Sequence, residues 1–459
     1  MEPTTTIRAE LENFMKQNGL NITQFGLVAG INPGTISGIV TGNRALSVHQ
    51  LDRITATLSH SKGHFYKNYI EEFLSSTTPN IRRVRPLLYN CAELDMLDCI
   101  EQVVSLLMEK LAYADALFTI AEDFFQQEKF AASIILYESI AVGEKKQHSE
   151  RLALCQYRIF MAKQGDNQTQ NLEAANQFEP YIERLNEGDQ LEALRNLANT
   201  YLSLRQWDKL DRWASVMDYK AQIQYRLAYH QERKKKRTPK RPSRPLFFYI
   251  AYSNLLHACV CEAKGDYEKT LQYIRTYGDV SWVKDTSEDA QDWMRLFQEW
   301  AQANFYAIKL LSGDASVISD YVAYIESKKD ETLVSLCNII EAANRYHINV
   351  DNVIQRFKLE IVEYIKQQPE SLYAPQNISD QIVRLLYELA YYCLNRAMYP
   401  HGFKYLIDCL RKSTSLNNEV FFIKCSGLFE QFKNFASDQT GSEYYNLINE
   451  VRKERLFYL

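Results

Sequence analysis

Between Thr23 and Leu58 the chain reads TQFGLVAGINPGTISGIVTGNRALSVHQLDRITATL, and the placing of its small residues permits few folds. Phe25 and Ala29 stand four apart, on one face of a helix. Gly26 leaves bare backbone for a close approach, Gly30 supplies a turn, and Ile31 is placed to pack beneath it. Asn32 is a good N-cap and Pro33 a good first helical residue. Ile36 and Ile39 then anchor the inner face of a second short helix. Two helices joined in this way form a helix-turn-helix, whose second helix enters the DNA major groove.

The run resembles the Cro/repressor (XRE) class of helix-turn-helix domains. It shares the Thr23-Gln24 start, the small residues in the turn, Ile36-Ser37 in the reading helix, the Gly42-Asn43-Arg44 loop and a following amphipathic helix. The resemblance covers residues 1–74. It implies that Gln24 meets phosphate and that Thr35, Ser37 and Gly38 occupy exposed positions of the reading helix, with Asn32 at its start. It also implies that Asn43 and Arg44 grip phosphate. The reading helix departs from the class in being small and uncharged, without the Arg, Gln or Asn that make bidentate base contacts. Readout then rests on few contacts, on DNA shape or on Arg44; a domain that no longer binds DNA is the alternative.

Charge adds a constraint. The chain of 459 residues carries a net charge of −4, so DNA binding depends on local charge. Residues 1–70 sum to only +2. Phosphate neutralisation supplies much of DNA affinity, so a dimer on two half-sites is expected. Nine cysteines (Cys91, Cys99, Cys155, Cys259, Cys261, Cys337, Cys393, Cys409 and Cys425) are scattered without a C-x-x-C pair. They read as thiols of a reducing compartment. The N-terminus shows no secretion signal, and no apolar run approaches the length that spans a membrane. A cytoplasmic protein without membrane contact is expected.

Past residue 74 the Ser/Thr/Pro content of residues 75–86 reads as a linker, with Arg82, Arg83 and Arg85 available to phosphate. From Leu87 to Leu459 apolar residues recur at helical spacing, in pairs of helices. Three pairs stand out: Ala114–Ala141, Glu192–Met217 and Phe248–Ile274. Each has a small residue within the first helix (Ala121, Ala198, Ala258) and an aromatic opening the second (Phe130, Trp207, Tyr267). Weaker pairs lie at 149–186, 294–327 and 384–411. These resemble tetratricopeptide repeats, which stack into a solenoid with a concave face. The expected fold is all-α: an N-terminal helix-turn-helix bundle, then a tetratricopeptide-like right-handed solenoid. A basic, proline-broken segment at 232–245 reads as a loop. It can serve as a contact to DNA phosphate or to an acidic partner, or simply as a solvated insertion.

The sequence carries no phosphate-binding loop, dinucleotide fingerprint, zinc-protease motif or nucleophile elbow. His49, His60 and His64 are close in sequence but bring no third ligand. No enzyme activity, catalytic residue, metal or cofactor is expected. In its whole architecture the chain resembles the peptide-pheromone-responsive regulators of Gram-positive bacteria and their phages, the RRNPP group. That group includes the Rap, NprR, PlcR and arbitrium receptors. The resemblance implies a cytoplasmic homodimer whose solenoid groove holds a short signalling peptide, and whose grip on double-stranded operator DNA responds to it. A bound extended peptide needs Asn side chains for its backbone and a cation for its carboxylate. Arg195 and Asn199 fit first, followed by Asn254, Asn304 and Asn395, with Tyr252 and Tyr387 placed to stack on peptide side chains. The alternative is a Rap-like regulator whose N-terminal domain docks a protein instead of DNA.

Overall fold

A computed structural model describes residues 6–74, 80–108, 111–143, 150–165, 167–230, 242–328, 332–366, 375–416 and 418–456. Every regular element among them is helical, so the chain is all-α. It divides into two compact units, Met1–Arg205 with Lys235–Ser243, and Gln206–Lys234 with Arg244–Leu459.

The first unit opens with α1 (Ile7–Gln17), α2 (Ile22–Ala29), α3 (Pro33–Val40), α4 (Val48–Thr57) and α5 (Tyr66–Tyr69). A π-helical turn, Ile70–Leu74, continues α5. Then follow α6 (Ile81–Glu93), α7 (Leu97–Met108), α8 (Ala114–Gln126), α9 (Phe130–Gly143), α10 (Glu150–Ala162), α11 (Gln168–Phe178) and α12 (Glu187–Ser203). One continuous core runs from Ile7 in α1 to Ile159 in α10. The expected linker is therefore corrected. Residues 75–79 lie outside the described residues, but Ile81 to Pro86 are the first turns of α6. Pro86 removes a single backbone donor, while Val84, Leu87, Leu88 and Cys91 bury one face. A polar node pins the same junction. The Tyr66 hydroxyl donates to Asp52 at 2.7 Å, and the Asn90 amide donates to Asp52 at 3.1 Å and to Tyr66 at 2.9 Å.

The second unit holds α13 (Trp207–His230), α14 (Leu246–Ala263), α15 (Tyr267–Gly278), α16 (Glu288–Leu311), α17 (Ile318–Ser327) and α18 (Thr332–Tyr346). Next come α19 (Asp351–Arg356), α20 (Lys358–Lys366), α21 (Pro375–Asn395), α22 (Tyr399–Ser415), α23 (Glu419–Phe432) and α24 (Asp438–Leu456). Packing passes from neighbour to neighbour: α13 on α14, α14 on α15, α15 on α16, α16 on α18, α18 on α21, α21 on α22. Such serial packing is consistent with a solenoid or a helical bundle.

Phe130, Trp207 and Tyr267 are the first residues of α9, α13 and α15. Ala121, Ala198 and Ala258 are buried where their helices meet a neighbour. Phe130, however, is 38% exposed and meets Phe125 edge-on at 5.4 Å, so it covers the rim of its pair. The helices α18 to α20 and α23 to α24 have no counterpart among the sequence pairs. One helix, α14, has 18 residues with a mean hydropathy of 1.2, long and apolar enough to cross a membrane by length and composition alone. In the fold it packs against α13, α15 and α16 and buries Phe247, Phe248, Tyr249, Leu256 and Val260. A helix covered on several sides needs apolar residues around most of its circumference. All nine cysteines are free thiols; seven are buried, and Cys259 and Cys261 are half-buried.

Candidate functional site

The local chemistry of α2 and α3 fixes how they meet. Asn21 and Gln24 close a reciprocal cap at the start of α2: the Asn21 backbone N–H donates to the Gln24 side chain, and the Gln24 N–H to that of Asn21, both at 2.9 Å. Gly30 ends α2 with φ +62°, a left-handed conformation that favours glycine. Asn32 caps α3, its side chain accepting from the Gly34 N–H at 2.9 Å, and Pro33 is the first helical residue. Gly26 is obligatory by contact, since a Cβ there would lie 2.7 Å from the Ile31 carbonyl oxygen. Ile36 and Ile39 are fully buried.

Three expected interface residues take a different place. Thr35 is buried, not exposed. It stands four residues before Ile39, hence on the same inner face, and its hydroxyl accepts from Arg44 Nη1 at 2.9 Å. Ser37 and Gly38 are half-buried. Gly38 makes room for the returning loop, since a Cβ there would lie 3.0 Å from the Arg44 Cβ. The exposed set is Gln24, Asn32, Gly34, Thr41, Asn43 and Arg44. The Asn43 amide donates to the Thr41 hydroxyl at 3.1 Å. Sequence reading also missed two arginines: Arg53 of α4 lies against Gly30, and Arg8 of α1 lies against Gly42. Leu27 and Val28 of α2 are 75% and 65% exposed. In α6, Arg82 and Arg83 are exposed, whereas Arg85 pairs with Asp123 at 3.2 Å.

The residues expected to hold a peptide are divided. Arg195 and Asn199 lie on α12 of the first unit, the others on α14, α16 and α21 of the second. Arg195 pairs with Glu192 at 3.1 Å. The Asn254 and Asn395 amides donate to their own helices, to the Ile250 and Tyr391 carbonyls at 2.8 and 2.9 Å. Asn304 donates to the Tyr277 hydroxyl at 2.8 Å. Tyr252 stacks on Phe248 at 5.3 Å. Tyr387 meets Phe421 edge-on at 5.6 Å and has Lys424 over its ring at 5.4 Å. Burial pushes the Tyr387 hydroxyl up to about 12. Of the basic segment, residues 232–241 lie outside the described residues. Arg244 stands over the rings of Phe248 and Trp293, at 5.2 and 5.7 Å.

A charged lattice in the second unit was not foreseen. Arg384 of α21 pairs with Glu341 of α18 and donates to Asn338 at 3.1 Å. Glu388 accepts from the Asn344 amide at 2.7 Å, and Arg345 pairs with Glu341 at 2.9 Å. Glu262 of α14 feels the same charges. Desolvation holds the carboxyls of Glu262 and Glu388 above the usual carboxylate range. Glu262 is nonetheless solvent-exposed. The bonds between α18 and α21 join residues more than forty positions apart, so no spacing in the sequence could announce them.

Two further arrangements bear on chemistry. Asp211 Oδ1 lies 2.7 Å from His257 Nδ1, and Ser215 Oγ lies 3.5 Å from Nε2. The Ser215 hydroxyl already donates to the Asp211 carbonyl at 2.9 Å, so its proton is committed to its own helix. The trio is a pin between α13 and α14, not an activated nucleophile. His60 and His64 stack at 4.1 Å. Among the described residues no group of three His, Cys, Asp or Glu side chains could hold a metal ion. The sequence matches no protein-family model, and no curated relative is detected.

Proposed function

We propose that this chain is a DNA-binding transcriptional regulator gated by a short signalling peptide, with α2 and α3 as a helix-turn-helix and the later helix pairs as tetratricopeptide-like repeats. The observation that carries the reading is the surface at α3. A glycine turn, two side-chain caps and the Arg44–Thr35 bond hold Asn32, Gly34, Thr41, Asn43 and Arg44 together on its exposed side. That surface is polar, rich in hydrogen-bond donors and free of carboxylates, as a phosphate backbone requires. Peptide would act by binding one conformer of the dimer better than another. Proposed partners are operator DNA, a signalling peptide and a second copy of the chain, in the cytoplasm.

Fluorescence anisotropy on DNA flanking the chain's own gene tests this, with and without short peptides encoded beside it. Arg44→Ala is expected to weaken binding about tenfold without unfolding the chain; unaltered affinity counts against the reading. Asn199→Ala is expected to remove the peptide response and leave the dimer intact on a sizing column. A normal response takes Asn199 out of the groove.

A second reading has its own support. Leu27 and Val28 present adjacent apolar side chains on α2, where a helix facing phosphate gains nothing from them. An N-terminal bundle that docks a protein partner would use them. Salt-independent failure to bind any duplex would favour it.

A further inference from the structure

Two arginines outside the α2–α3 segment approach its backbone at two glycines. A Cβ built on Gly30 would lie 2.5 Å from Arg53 Nη2, and one built on Gly42 would lie 2.8 Å from Arg8 Nη1. Gly30 sits just before the N-cap of α3, and Gly42 just after its C-cap. The two guanidinium groups therefore bracket α3. An eight-residue helix is about 12 Å long, which is about the width of the B-DNA major groove.

Neither group has an acidic partner among the described residues. Arg8 stands over the Phe73 ring at 5.4 Å, and its Nε is buried without a hydrogen bond. Arg53 is exposed, and its guanidinium makes no hydrogen bond or ion pair among the described residues; only its backbone carbonyl is engaged, by the Thr57 hydroxyl at 2.8 Å. A guanidinium offers five donors. Surface arginines of this protein commonly pair with carboxylates, as Arg85, Arg345 and Arg411 do. Two unpaired ones held at the ends of one short helix form a site for an anion with two separated charges.

We infer that Arg53 and Arg8 are phosphate-binding residues that flank α3, one at each wall of the major groove of duplex DNA. The inference rests on the DNA-binding reading and deepens it. It also supplies what the sequence lacked, since α3 itself carries no charge. Base contact falls to the loop and caps, and affinity falls to residues on α1 and α4. The bare α-carbons of Gly30 and Gly42 are what let the guanidinium groups lie so close to the reading helix.

The test is the salt dependence of binding to a labelled mixed-sequence DNA duplex, measured on the full chain. Each phosphate contact contributes about 0.9 to the slope of log K against log salt. Arg53→Gln and Arg8→Gln are each expected to lower that slope by about one. The affinity lost between 50 and 200 mM salt then shrinks by about threefold per contact. Arg53→Lys restores the slope, and Arg226→Gln, the same charge change on α13, leaves it at the wild-type value. A slope unchanged in both Arg53→Gln and Arg8→Gln, with wild-type affinity for the duplex, overturns this inference and leaves the DNA-binding reading standing. A wild-type chain that binds no duplex overturns both. Circular dichroism of each variant separates lost contact from lost fold; should Arg8→Gln unfold the bundle, exposed Arg53 decides alone.

Discussion

A single added methyl group separates the two ways a glycine can matter in this chain. At Gly30 the backbone itself is left-handed, whereas at Gly26 the conformation is ordinary and the obstacle is the Ile31 carbonyl 2.7 Å away. Neither the carbonyl nor the adjoining Pro33 ring can yield without moving α3. Gly26→Ala is therefore expected to cost about 1–3 kcal/mol, read as a lower melting temperature with loss of DNA affinity in parallel. The role of Gly26 was legible in the sequence, as were those of Gly30, Asn32 and Pro33, because all of them act on neighbours within a few positions. Thr35 was misread. Its exposure depended on which face of α3 turns inward, and its hydroxyl was claimed by Arg44, nine residues away. Arg53 and Arg8 went unseen for the same reason, since contact across three helices leaves no local pattern.

At the scale of elements, the helices were legible because their apolar periodicity is strong, and the breaks between them less so. Residues 75–86 looked like a linker on composition alone. What composition omits is that Val84, Leu87 and Leu88 complete the core that α4 and α5 begin. The Tyr66–Asp52–Asn90 node lies in this joint, and burial together with the Asp52 bond holds the Tyr66 hydroxyl protonated far into alkali. Tyr66→Phe removes the donor to Asp52 Oδ1 and leaves Asn90 on Oδ2, and is expected to cost about 1–3 kcal/mol. Hydrogen exchange should then show faster opening of α4 and α6 together, and opening of α4 alone would refute a shared joint. Of the residues expected to meet a peptide, Asn254 and Asn395 each donate the amide to their own helix, a local bond that apolar periodicity does not announce.

For the whole molecule, the lattice around Arg384 has a consequence in pH. The half-buried Glu388 carboxyl is held above its ordinary value of 4.5, chiefly by desolvation. A raised carboxyl pKa means that the folded state keeps the proton longer than the unfolded chain does. Its contribution is thus fully present below the ordinary value and is lost as pH rises through the folded one. Glu388→Gln is expected to raise the melting temperature of the second unit at neutral pH, with the gain vanishing in acid. A gain independent of pH would exclude titration as its cause. The unbroken core from Ile7 to Ile159 bears on how such a chain changes over evolution. A modular protein can trade its head for another at a seam. Here the visible change in composition after Leu74 is no seam, since severing there would strip apolar cover from Tyr66, Ile70 and Leu74 on one side and from Leu87 and Leu88 on the other. A cut that keeps this cover intact falls at the end of the larger block, near Arg205.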